Sequence, residues 1–192
     1  MEKVAIAVIM TVHNRRDTTK ECLQKVFEQK GVDEITLDVY MTDDGCTDGT
    51  AEMVKKDFPS VNVVKGDGTL FWNRGMYVAW EEAAKNGYDF YVWLNNDTAL
   101  YDNALYELYD SSFMTGHKSI IVGEVKEIGQ YRTSYGGYIG GKRIDPDGTL
   151  QEVDYFNGNI VWIPNSVYSR LGNLDYRFRH CHGDSDSNIS LI

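Results

Sequence analysis

Short apolar runs rich in β-branched residues alternate with stretches of helical spacing through the first half of the chain. Val4–Thr11 is one such run and predicts a strand buried on both faces. Asp17-Thr18-Thr19 then opens a helix to about Gln29, with Cys22, Leu23, Val26 and Phe27 at helical spacing. Ile35–Met41 predicts a second strand, ended by Thr42-Asp43-Asp44-Gly45. Asp48 or Thr50 caps the next helix, whose Ala51, Val54 and Phe58 share a face and which Pro59 stops. Val61–Val64 predicts a third strand. Gly75–Asn86 predicts a helix carrying Met76, Ala79, Trp80 and Ala83, with Gly87 at its C′ position, and Tyr88–Leu94 a fourth strand.

This alternation is the pattern of a doubly wound, Rossmann-like, mainly parallel α/β sheet. Such sheets bind ligands beyond the C-terminal ends of their strands. The polar clusters Thr11–Arg16, Asp43–Asp48, Gly66–Arg74 and Asn95–Thr98 each follow a strand, so all fall on that rim. One polar strand end is a turn, but four on one rim make a site. The texture then changes. After a helix at Asp102–Ser112, the runs Ile120–Val122, Thr133–Ile139 and Leu150–Val153 read as short strands of a small mixed or antiparallel addition. Phe156–Pro164 predicts a further buried strand, and a helix follows from about Asn165 to Leu171.

The 192 residues fit one compact domain, and 42% hydrophobic with 12% aromatic residues are globular values. Nineteen Lys and Arg against 29 Asp and Glu give a net charge of -10, which argues against a nucleic-acid footprint. A phosphorylated ligand stays open, because a divalent cation can bring the missing positive charge. Cys22, Cys46 and Cys181 are odd in number and widely spaced, which points away from a disulfide framework and towards a reducing cytosol. The apolar opening is too short for a signal peptide, and no run is long enough to span a bilayer.

In Tyr91-Val-Trp-Leu-Asn-Asn-Asp-Thr98 the apolar strand runs directly into two carboxamides and a carboxylate. Hard oxygen ligands gathered at one strand end suit a cation, a sugar, or both, while Asn and Asp also build simple turns. The same two readings stand for Asp43 and Asp48, which suit a turn and a helix cap.

Taken together, "VIMTVHNR", "MTDDGCTDGT", "DGTLFWNRGM", "WLNNDT", "NGNIVWIPNSVYSRLGNLDYRF" and "HGDSD" resemble the family 2 glycosyltransferases in order and cover nearly the whole chain. The resemblance implies a GT-A fold and an inverting transfer from a nucleotide diphosphate sugar to a hydroxyl acceptor. The "LNNDT" form looks most like the rhamnosyltransferase-type enzymes of surface polysaccharide synthesis. It further implies one domain over 1–192, with a nucleotide-binding half (1–100) and an acceptor-side half (101–192). The donor would be UDP- or dTDP-linked and the acceptor a glycan or a lipid-linked hydroxyl. The setting would be cytoplasmic, with peripheral attachment at the inner face of the membrane.

The resemblance also distributes roles. Asp44 would accept the N3–H of a pyrimidine base, flanked by Thr11 and His13, with Asn14 and Asp43 beside it. Trp72 and Arg74 would lie along the donor, Arg74 against the diphosphate. Asp97 matches the last carboxylate of a metal-binding DxD element and would hold Mn²⁺ or Mg²⁺. Asn95 and Asn96 stand where many relatives carry Asp, so they would contact ribose or diphosphate, and the cation would bind poorly without nucleotide. Asp184 would be the general base, with Asp186 supporting it. His182 stands where relatives often have a small residue, and the chain stops at "DSDSNISLI", as a shortened or minimal form would. Two other classes remain open. His180, His182, Asp184 and Asp186 have the ligand types of a metal-dependent hydrolase or nucleotidyltransferase. The Asn-for-Asp changes also suit a donor-binding domain that does not turn over.

Overall fold

A computed structural model describes residues 3–32, 34–126 and 133–179. In chain order its first half runs β1 (Val4–Val12), α1 (Arg16–Phe27), β2 (Ile35–Asp43), α2 (Thr50–Asp57), β3 (Asn62–Lys65), α3 (Phe71–Ala84), β4 (Phe90–Leu94) and α4 (Ala104–Met114). The second half holds β5 (Ile121–Val122), β6 (Val125–Lys126), β7 (Thr133–Tyr135), β8 (Gly137–Ile139), β9 (Lys142–Arg143), β10 (Tyr155–Phe156), β11 (Ile160–Pro164) and α5 (Asn165–Leu171). Among the described residues the main sheet has the order β3-β2-β1-β4-β11-β5. The first four strands are parallel, and β11 runs antiparallel to both of its neighbours.

Period-two alternation makes β1 the spine of two cores. Ile6, Val8, Met10 and Val12 pack with Cys22, Leu23 and Val26 of α1 and with residues of α2 and α4. Ala7 and Ile9 face the other way, with Met76, Ala79, Trp80 and Ala83 of α3 and with Tyr91 and Trp93 of β4. The chain steps from β1 outward to β2 and β3, then returns to the other side of β1 with β4. The strand order therefore reverses between β1 and β4, which makes that point the topological switch of the sheet.

Four sequence expectations need correction. The strand expected over Phe156–Pro164 is divided: Phe156 ends β10, residues 157–159 turn aside to bond Gly136 and Asn95, and β11 begins only at Ile160. The third helix begins at Phe71, not at Gly75. The cause is long-range: the N–H groups of Leu70 and Phe71, which a helix start leaves unpaired, donate to the carboxylate of Asp44 on the β2 loop. Thr133–Ile139 is two strands, because Gly136 at φ 153° breaks it and the Glu124 carboxylate fills the space of a Cβ there. Leu150–Val153 forms no strand. That stretch follows an Asx turn at Asp147 and packs Val153 on Gly137, while the ladder partners of β8 are β9 and β10.

The start of α3 lies hard on the end of β1. Thr42 Oγ1 donates to the Gly75 carbonyl at 2.7 Å, and a Cβ on Gly75 would overlap Thr11 Oγ1 and Cβ. Gly75→Ala gains helix propensity, about 1 kcal/mol at most. Overpacking against a strand costs ~1–3 kcal/mol and wins. We expect net destabilisation in urea unfolding, with nucleotide affinity falling as Thr11 is displaced; an alanine variant as stable as wild type would contradict this packing.

Candidate active site

The four polar clusters do meet on one rim, at the C-terminal ends of β1, β2, β3 and β4. A crevice of about 290 Å³ opens there, lined by Arg15, Trp72, the Asn95–Asp97 loop, Tyr135 and residues 157–159. A larger cavity of about 410 Å³, bordered by Lys118, Ile120, Leu150 and Arg170, sits at the opposite edge, where β5 starts and β11 ends. It is remote from all four clusters.

Asp44 is 3% exposed and organises the rim. Its Oδ1 accepts from Gly68 N at 2.8 Å and Leu70 N at 3.3 Å, and its Oδ2 from Leu70 N at 3.1 Å and Phe71 N at 3.0 Å. A carboxylate has about four lone-pair sites. Three loop N–H groups supply these four contacts, Leu70 N being shared between both oxygens, so a fourth donor can still be accepted. His13 Nδ1 lies 2.6 Å from the Asp44 carbonyl, an acceptor, so Nδ1 carries the proton and the rest of the exposed ring faces outward. Thr11 stands behind it against α3. Asp43 Oδ1 accepts from Cys46 N at 2.9 Å, and Asp48 bonds Thr50 and Arg16 N, which gives both acids the turn and cap roles left open above. Desolvation, helped by the Asp43 hydrogen bond, pushes the Cys46 thiol up to about 12, so it is a neutral packing group.

The β4 loop separates its three polar residues. Asn96 turns its amide inward to Thr19 Oγ1 at 2.9 Å. Asn95 Oδ1 accepts from Trp72 Nε1 at 2.7 Å, and Asn95 Nδ2 donates to Asn159 Oδ1 at 2.6 Å. Asp97 stays at the surface and pairs with Arg15, Oδ2 to Nη1, at 2.6 Å. This ion pair spans the switch point between β1 and β4. Asn14 and Arg15 both hold positive φ, 62° and 64°, which is costly for non-glycine residues. The strain is held from outside: Asn14 N donates to Cys46 Sγ, Asn14 Oδ1 accepts from Thr47 N, and Arg16 N donates to Asp48.

Arg74 points elsewhere. Its Nε donates to the Tyr176 carbonyl at 2.9 Å, and its guanidinium lies over the Tyr176 ring. Asn73, which the sequence did not single out, is fully buried and clasps the far end of the chain: Nδ2 donates to the carbonyls of Asp175 and Phe178, and Asn73 N to that of Arg179. Its Oδ1 is buried without a partner. His180, His182, Asp184 and Asp186 lie outside the described residues. Arg15, Asn73 and Asn159 were missed because their partners lie far away in sequence; only the Asn-rich "FNGN" hinted at the last.

Could these residues hold a divalent cation? Among the described residues no cluster of three metal-ligating side chains exists, and Asp97 is the one carboxylate on the crevice. The carboxamide oxygens of Asn95 and Asn159 are already engaged. A hard cation needs about six oxygens. The donor set therefore fits a cation that arrives with phosphate oxygens and takes Asp97 as its protein anchor, and it does not fit a closed protein cage.

A family model described as glycosyl transferase family 2 matches residues 7–176. Among solved structures the chain resembles the mannosyltransferase PcManGT from Pyrobaculum calidifontis in complex with GDP-Man and Mn²⁺, with TM-score 0.62 and 18% identity over 97% of this chain and 51% of that one. It also resembles S. aureus TarS, with TM-score 0.69 and 14% identity over 97% of this chain and 33% of that one. For TarS 1–349 in complex with UDP the values are 0.67 and 13%, over 94% of this chain and 53% of that one. The chain thus spans about half or less of the length of these proteins. At such identities the likeness establishes the fold, a mainly parallel GT-A sheet with antiparallel additions. A search of curated proteins finds no match.

Proposed function

This chain belongs to glycosyl transferase family 2, and on that premise we propose that it transfers a sugar from a pyrimidine nucleotide diphosphate sugar to a hydroxyl acceptor, with inversion. The observation that carries the reading is the convergence at the switch point: the base-side groups Thr11, His13 and Asp44, the loop that Asp44 fastens, and Asp97 share one rim. Residues 1–100 would bind donor and 101–192 acceptor, a glycan or lipid-linked hydroxyl of cell-surface synthesis, in the cytoplasm or at the inner face of the membrane. No helix among the described residues is long and apolar enough to cross a membrane.

In this reading the remaining lone pair of Asp44 takes the imide N–H of the base, and His13 packs on the base. Trp72, fixed by Asn95, walls the sugar side. The acceptor oxygen attacks the anomeric carbon, Asp184 takes its proton, and the bond to the diphosphate breaks with the electron pair leaving on phosphate oxygen. A divalent cation anchored at Asp97 would supply charge neutralisation to that leaving group. The rival metal-centre reading of His180–Asp186 leaves "DDGCTDGT" and "LNNDT" without a role, although the family match runs through both.

A thermal-shift screen of UDP-, dTDP- and GDP-sugars, with and without Mn²⁺, tests this. A ligand at a hundred times its Kd stabilises by ~2.7 kcal/mol, a shift of several degrees. Stabilisation by a pyrimidine nucleotide sugar, larger with Mn²⁺, is expected; a shift with GDP-sugars alone would overturn the pyrimidine assignment, and no shift from any of them would overturn the reading. Asp97→Asn should erase the Mn²⁺-dependent part of the shift and leave the rest. Tight Mn²⁺ binding to the free protein would show that the cation site lies elsewhere.

A further inference from the structure

We propose that Arg15 is the diphosphate-binding cation of this site, and that in the free protein it stands in for the divalent cation at Asp97. The inference rests on the nucleotide-sugar reading above and moves to Arg15 the role that the resemblance implied for Arg74. Arg15 is the one cationic side chain lining the crevice among the described residues, and it shares that wall with Asp97 and Trp72. Arg74 is turned to Tyr176 and does not line the crevice.

The backbone singles out Arg15 as well. Two successive non-glycine residues, Asn14 and Arg15, are held left-handed by bonds from the β2 loop, and this strained turn carries the Arg15 side chain to the switch point. An ordinary helix entry would not need it. The resulting ion pair is exposed on both sides, 59% for Arg15 and 42% for Asp97, so it contributes little to stability and exchanges readily. The guanidinium fork matches phosphate oxygens better than a single carboxylate oxygen.

The exchange is charge-balanced. A sugar-linked diphosphate and a divalent cation cancel one another, so Arg15 can leave Asp97 for phosphate while the cation takes the vacated carboxylate, and no net charge is stranded. Cation affinity is thereby tied to nucleotide: without diphosphate, an incoming ion must displace Arg15 from Asp97.

Calorimetric titration of UDP with Mn²⁺, and of uridine, into wild type, R15Q, R15K and R74Q tests this, together with spin-resonance titration of Mn²⁺ into each nucleotide-free protein. R15Q should lose about tenfold or more in Mn²⁺–UDP affinity, the worth of a charge-assisted hydrogen bond. It should keep its uridine affinity and bind Mn²⁺ more tightly than wild type in the absence of nucleotide. R15K should recover part of the UDP affinity, and R74Q should lose less than R15Q. Equal Mn²⁺–UDP affinity in R15Q and wild type, parallel loss of uridine, or a larger loss in R74Q overturns the proposal while leaving the nucleotide-sugar reading in place. If wild type takes neither UDP nor dTDP- and GDP-sugars, that reading falls first and Arg15 with it.

Discussion

Asp44→Ala is expected to abolish pyrimidine nucleotide binding and to cost about 3 kcal/mol of stability. The carboxylate is buried and accepts from three backbone N–H groups of residues 68–71. Each buried donor left without a partner costs ~1–3 kcal/mol, and the loop can recover part of that by opening to water. The low end of the sum is therefore the sensible magnitude. Because two of those donors belong to the start of α3, the helix should fray back towards Gly75, the boundary that its own sequence suggests. Asp44→Asn keeps one acceptor oxygen and should be milder in both respects. Asp43→Ala loses a single turn bond to Cys46 and should weaken nucleotide binding less. Urea unfolding and titration with UDP and dTDP separate the three variants. Unchanged binding in Asp44→Ala would remove Asp44 from the base site.

Asp184→Asn is expected to keep the fold and donor affinity while transfer falls by about two to four decades, the usual worth of a general base. Losing a helix cap would instead cost ~1 kcal/mol of stability and spare the rate. Support comes from the chain just before it. Asn73 binds the carbonyls of Asp175, Phe178 and Arg179, and the Arg179 guanidinium lies over the Phe71 ring. Residues 175–179, the last described before the acidic segment, are thus clasped to the start of α3. Rate measurement on a working acceptor decides it. If Asp186→Asn is inactive and Asp184→Asn is not, the base moves two residues along; if both transfer normally, the base is another group.

What could be read from sequence was whatever local chemistry determines. Val4–Thr11 is apolar and rich in β-branched residues and became β1, and the span Asn165–Leu171 became α5. The strand-to-helix alternation gave the parallel half, and with it the rim. What could not be read depends on partners far along the chain. Nothing near Phe71 announces a helix start, because its cap is Asp44. Nothing near Arg15 announces a partner, because Asp97 lies across the switch point. In the added region, Leu150–Val153 has the composition of a strand, but both sides of β8 are taken by β9 and β10. The four loops of the site were legible as positions, while the division of labour within them was not: Asn96 faces the core, Asn95 orients Trp72, and Arg74 serves the C-terminal turn.

The Trp72 indole also gives this protein a built-in optical reporter. Trp80, Trp93 and Trp162 are at most 3% exposed, so of the four tryptophans only Trp72 meets the crevice. It stands 6.3 Å from Trp93, which is 5.2 Å from Trp80, so excitation absorbed by those two buried rings can pass to the rim. The emission of the whole chain is then weighted towards the one indole that lines the crevice. Quenching by a stacked base or sugar, or a colour change when Asn95 lets go of the indole N–H, would follow occupancy in unlabelled protein.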